Sequence, residues 1–195
     1  MTAAGGMVCC MRMPLRTQSV GAELTVAMHH FNARPTEEFN ARPTEEFNIF
    51  ALGSFHGDDR VGWEVAEALR NVLAQGGLIE NLTSPWDLLH RLVSDRPAVI
   101  VDASQSGRVA GEVFCVAPSE LNCLLGCSSH SVPLCDILAL AEQQRCLPAH
   151  LAVIGIEVQQ TQPGEDLSPA VRAAIPVACD LIASLVGNWT GADDA

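Results

Sequence analysis

No lysine and no tyrosine occur in this chain of 195 residues, and all eleven of its basic residues are arginine. A Schiff-base lysine, a Ser–Lys dyad and a phosphate-loop lysine are therefore excluded. Charge of either sign is scarce, at 17% of residues, and the balance is acidic, with a net charge of −12. That balance argues against nucleic acid as a partner, because its phosphates would be repelled. Apolar runs are short of the ~20 residues that a bilayer-crossing helix needs, so no membrane span is expected. What the chain has in quantity is apolar residues, 48% of the total, enough to build one domain with a sizeable core.

The cysteines are Cys9, Cys10, Cys115, Cys123, Cys127, Cys135, Cys146 and Cys179. Without a recognisable secretory signal the chain reads as cytoplasmic, with reduced thiols. Cys123 and Cys127 have a spacing compatible with zinc, but no second pair follows at finger-like distance. Scattered buried small side chains are the favoured account.

Two unequal parts follow from the pattern. Residues 1–47 read as an extension that is disordered or that follows from an early assigned start, with Met28 as the alternative start. Within it FNARPTEE, Phe31–Glu38, recurs immediately as Phe39–Glu46, too short a unit and too few copies for a solenoid. Residues 48–187 read as the folded domain and residues 188–195 as a tail. Asn48–Leu52 has the apolar character of a buried strand, Ala98–Val101 is the strongest strand, and Leu78–Leu82, Gly111–Ala117 and Leu151–Ile156 read as further strands. Helices are expected from Val61, from Ser84-Pro85 with Trp86, Leu89 and Val93 on one face, near Pro133–Gln144, and from Ser168-Pro169 to about Val186. Strands alternating with helices, and apolar on both faces, predict a single three-layer α/β/α domain around a mostly parallel sheet. Sites in such sheets lie in the crevice beyond the carboxyl ends of the strands.

Three positions there carry chemistry. The loop after the first strand, GSFHGDDRVG, does not fit the dinucleotide fingerprint. Its Asp58 and Asp59 would repel a phosphate and favour a cation. One of them suffices as a helix N-cap, which leaves the other free. Asp102 closes the most apolar strand, where its charge requires pairing, hydrogen bonding or a metal; bonding to the next loop is an equal reading. His130 stands before a proline-opened helix, and with Ser129 it makes only a weak nucleophilic pair. Together Asp59, Asp102 and His130 form a mixed oxygen/nitrogen set suited to a divalent transition metal, with coordination positions left open.

The four segments Leu52–Leu69, Val99–Val113, Ser128–Ala141 and Ile154–Pro176 resemble, in order, the conserved segments of hydrogenase-maturation endopeptidases. These are the acidic glycine loop with its helix, the strand ending in Asp-Ala, the Ser-x-His motif, and the last strand with its LSPxV helix. The resemblance implies that Asp59, Asp102 and His130 ligate the metal and form the catalytic site. It implies nickel, supplied by the substrate. It also implies removal of the C-terminal extension of a nickel–iron hydrogenase large-subunit precursor; since that reaction needs only one enzyme and one precursor, a monomer is expected. The chain departs from the pattern at Ala51, Ser54 and Arg60, and its first loop is one residue shorter than in some relatives, which leaves Asp58 as the alternative ligand. A catalytically silent relative, binding nickel or a hydrogenase subunit as a chaperone, is the rival reading.

Overall fold

The computed structural model describes residues 47–73, 76–121, 133–163 and 166–190. The tandem repeat, Cys123, Cys127 and His130 lie outside the described residues. Five strands form one sheet: β1 (Phe47–Leu52), β2 (Gly77–Leu82), β3 (Ala98–Ser104), β4 (Val113–Val116) and β5 (Leu151–Glu157). Their order is β2-β1-β3-β5-β4. All pairs are parallel except β4 with β5, which is antiparallel. Helices α1 (Val61–Val72) and α3 (Pro169–Thr190) cover one face, and α2 (Leu134–Gln143) covers the other.

The strand sequences explain this layering. Every residue of β1, β3 and β5 is buried, as expected of strands covered on both faces. Side chains alternate between faces. Ile49, Val99, Val101, Ile154 and Ile156 pack with α1 and α3, whereas Phe50, Leu52, Ile100 and Val153 pack with α2. Asp102 follows the alternation onto the face of Ile100 and α2.

Two features depart from expectation. The Ser84-Pro85 segment is a short 3-10 helix, Pro85–His90, with Ser84 Oγ accepting a hydrogen bond from the Trp86 backbone N–H at 3.3 Å. Its buried positions are Pro85, Leu88 and, just beyond it, Leu92, while Trp86 is half exposed. The buried stripe keeps the i, i+3, i+7 spacing of the one expected through Trp86, Leu89 and Val93 but is shifted by one residue, with Leu88 and Leu92 in the core shared with α2. Helix α3 continues to Thr190, and by length and mean hydropathy, 1.7 over its most apolar window, it meets the criteria for crossing a membrane. That corrects the expectation of no such segment. Here Val171, Ala174, Ala178, Ile182 and Val186 recur at helical spacing and are buried in the core with α1, and Arg172 and Asp180 are exposed. Among the described residues Cys115, Cys146 and Cys179 are free.

Candidate active site

From β1 the chain runs to β2 on one side and then returns past β1 to β3 on the other. The carboxyl ends of β1 and β3 therefore form the switch point of the sheet, where a crevice opens between diverging connections. Asp59 lies in a one-turn 3-10 segment, Gly57–Arg60, after β1, and that segment packs against β3. Asp102 lies within β3 rather than at its end, because the strand continues to Ser104. The β1–β3 ladder ends at Ala51 and Val101, while β3 continues beside β5, with Asp102 opposite Gly155. Asp102 is thus the first β3 residue beyond the reach of β1. It is 1% exposed.

The approach of α1 to these strand ends is set by Gly62. A Cβ there would lie 2.2 Å from the Leu52 carbonyl oxygen and 3.2 Å from that of Val101. Only a residue without a side chain lets the helix start directly over the switch point.

Asp58 and Asp59 are neighbours with opposite surroundings. The Asp58 carboxylate is fully buried and accepts three backbone N–H bonds. These come from Gln159 and Gln160 at 3.1 Å each and from Ser168 at 2.6 Å. Its own N–H donates to the Gln160 carbonyl at 2.8 Å. The carboxylate thereby ties the first loop to the segment after β5 and to the entrance of α3. Neither aspartate caps its own helix through its side chain, so the expected N-cap is replaced by this bond across the fold. The Ser168 hydroxyl, expected to cap α3, is buried without a hydrogen-bond partner; Asp58 meets the serine's N–H instead.

Asp59 is as deeply buried, at 1% exposed, and its Oδ1 has no hydrogen-bond partner among the described residues. Burial pushes its carboxyl pKa up; a hydrogen bond from Ser54 and the nearby His56 work against that rise without cancelling it. Ser54, which stands where the expected motif has asparagine, is also 2.9 Å from His56 Nδ1 through its Oγ. Arg60, where glycine is frequent, reaches Glu64 at 3.5 Å and Asp166 at 3.3 Å across the outside of the loop.

A further acid, Glu157, shapes this edge and was not singled out in the sequence. It is 3% exposed. It accepts bonds from the backbone N–H groups of Ser106, Gly107 and Arg108, at 3.0, 2.7 and 3.1 Å, and from the Ser106 hydroxyl at 2.7 Å. The loop following Asp102 is thereby pinned to the end of β5. The only signal available was an acidic residue directly after an apolar strand.

Among the described residues no three His, Cys, Asp or Glu side chains gather as a metal cluster. The expected third member, His130, lies outside the described residues. Asp59, with an acceptor oxygen that nothing among the described residues satisfies, has the donor chemistry that a divalent transition metal accepts. A cysteine nucleophile finds no support in Cys179: burial foremost, and Asp180 next, push its thiol pKa up.

Comparison with known proteins defines the class. Residues 63–185 match the model of the hydrogenase maturation protease family, and the chain belongs to that family. The matched span includes Asp102 and stops short of Asp59. Protein FrxA of Pyrococcus furiosus is 27% identical over 135 residues, covering 67% of this chain and 96% of that protein. Among solved structures, the hydrogenase maturating endopeptidase HybD from Escherichia coli superposes with a TM-score of 0.57 at 19% identity, over 70% of this chain and 89% of that one. The maturation protease HycI from Thermococcus kodakarensis gives 0.58 at 23%, over 73% and 92%. The five-stranded, mostly parallel α/β domain is the fold of these proteins.

Proposed function

We propose that this chain is an endopeptidase that removes the C-terminal extension of a nickel–iron hydrogenase large-subunit precursor, working as a monomer in the cytoplasm. Family membership supports the reaction class. The observation that carries the site is Asp59, a buried carboxylate with one oxygen unsatisfied among the described residues, in a segment that packs against the strand carrying Asp102. A fold that leaves such a group open when its neighbour Asp58 is fully bonded is holding it for something outside the chain.

In this reading nickel arrives bound to the precursor and belongs to the substrate. Asp59, Asp102 and His130 would complete its shell, and a divalent ion so held polarises a carbonyl or acidifies a water. The chain's own contribution is to place two carboxylates at one crevice and to keep them dry. Asp59 or Asp102 is alternatively the general base instead of a ligand; in the absence of the ion, burial raises the Asp59 pKa and makes its carboxylate a stronger base, suited to taking a proton from the attacking water. Asp58 and Glu157 hold the two loops that frame the crevice, so the geometry is fixed before the precursor binds.

The test is the intact mass of a nickel-loaded precursor before and after incubation with this protein and with His130→Ala. Loss of a defined C-terminal peptide with the wild type, and none with the variant, is the expected result. Cleavage by His130→Ala at the wild-type rate contradicts the assignment of the site. Binding without any cleavage favours a silent, chaperone-like relative.

A further inference from the structure

Phe55 is the most exposed large hydrophobic residue among the described residues, at 80%. Isolated exposed hydrophobics are ordinary on a protein surface, so exposure alone says little. Its position says more. Phe55 lies between Ser54 and His56 in the loop that carries Asp59. Its ring rests edge-on against Trp63, with centroids 4.8 Å apart. Trp63 is itself fixed, its indole N–H donating to the Leu82 carbonyl at 3.0 Å. Gly53 makes room for that indole, since a Cβ there would meet Trp63 Nε1 at 3.3 Å.

The second most exposed large hydrophobic, Val109 at 76%, belongs to the loop between β3 and β4, beyond the same strand ends. Glu157 pins that loop. Two apolar knobs on held loops thus occupy connections on either side of β3, which carries Asp102. An aromatic ring kept in water yet braced from behind gains on binding without first losing much freedom.

We propose that Phe55 is a substrate-contact residue that seats an apolar side chain of the precursor next to the bond that is cut. This rests on the endopeptidase reading and deepens it, by assigning apolar character to the precursor segment that crosses the β1 side of the crevice. The buried acids Asp59 and Asp102 speak against an acidic residue there. Phe55 is a specificity residue and takes no part in the chemistry; its contact is made equally with bound substrate and with the transition state. Its loss therefore acts on KM rather than kcat.

Steady-state cleavage of the nickel-loaded precursor is measured for the wild type, Phe55→Ala, Phe55→Leu and the distant surface control Val72→Ser. In parallel, precursor binding is measured by calorimetry in an Asp59→Asn background with and without Phe55→Ala. The expected result is that Phe55→Ala raises KM and Kd about tenfold with kcat within about twofold, as burying one apolar contact warrants. Phe55→Leu recovers most of the loss, Val72→Ser changes nothing, and the thermal midpoint stays put because the ring is exposed. Unchanged KM and Kd in Phe55→Ala overturn the proposal, as does a fall in kcat alone. If the wild type cuts the precursor and Phe55→Ala matches it, only this inference fails. If the wild type neither binds nor cuts it, the endopeptidase reading fails and this inference falls with it.

Discussion

Asp58 and Asp59 are consecutive, equally buried and chemically identical, yet the fold uses them in opposite ways. Asp58 receives three backbone N–H bonds from residues more than a hundred positions away. Asp59 keeps an oxygen without a partner and carries the cost of desolvation as a raised pKa. A carboxylate whose lone pairs are taken by its own chain is a structural joint. One that keeps an oxygen unmatched by the described residues, at a crevice, is available to a substrate. Burial cannot tell them apart; hydrogen-bond accounting does.

The comparison breaks most visibly at Asp58. Asp58→Ala strands three N–H groups and separates the first loop from α3, so unfolding in urea should show a loss of about 3–5 kcal/mol. An unchanged urea midpoint would mean that Asp58 is not a joint. Gly62→Ala drives a Cβ into the Leu52 carbonyl and should cost about 3 kcal/mol, read as a fall in thermal midpoint. Glu157→Gln replaces two acceptor positions by donors facing N–H groups. A loss of about 2 kcal/mol is expected, with faster amide exchange confined to Ser106–Arg108.

Asp59→Asn should act in the other direction. Removing an incompletely satisfied buried charge is expected to leave the metal-free protein as stable at pH 7 as before, or more stable by about 1 kcal/mol. The sign with pH follows from the raised pKa. Below the ordinary carboxylate range Asp59 is protonated both folded and unfolded, and it costs nothing. As pH rises from that range through the folded value, the unfolded chain gives up a proton that the folded chain keeps, so wild-type stability falls relative to Asp59→Asn. Above the folded pKa the difference is constant. Urea midpoints of both proteins across that window check the sign, and a gap of the opposite direction would show Asp59 to be stabilised by its surroundings.

Much of this was legible in the sequence because it depends on local pattern. The apolar runs placed all five strands, and their two-sided burial announced a parallel sheet before any topology was known. The turn after β1 and the apolar strand carrying Asp102 pointed to one edge for the same reason. The division of labour between Asp58 and Asp59 was not legible, since Asp58's partners, Gln159, Gln160 and Ser168, are brought to it only by the fold. Glu157 was passed over for a similar reason, its partners being about fifty residues upstream. At Pro85–His90 two stripes one residue apart have the same spacing, and only packing in the core shared with α2 chose the one through Leu88 and Leu92. Asp102 was taken as the strand's last residue because hydrophobicity stops there, whereas the ladder with β5 does not. Phe55 drew no notice, as one phenylalanine in a loop has no periodicity to betray its exposure.

The central claim is that the unsatisfied carboxylate of the pair is the one that works. It is tested most directly by the rate at which Asp59→Asn cleaves a nickel-loaded precursor, with its urea midpoint measured in the same preparation. The account predicts a midpoint at or above that of the wild type and a cleavage rate down by at least about a thousandfold, the scale expected when a group acting on the transition state is removed. Cleavage near the wild-type rate by a fully folded Asp59→Asn would contradict it.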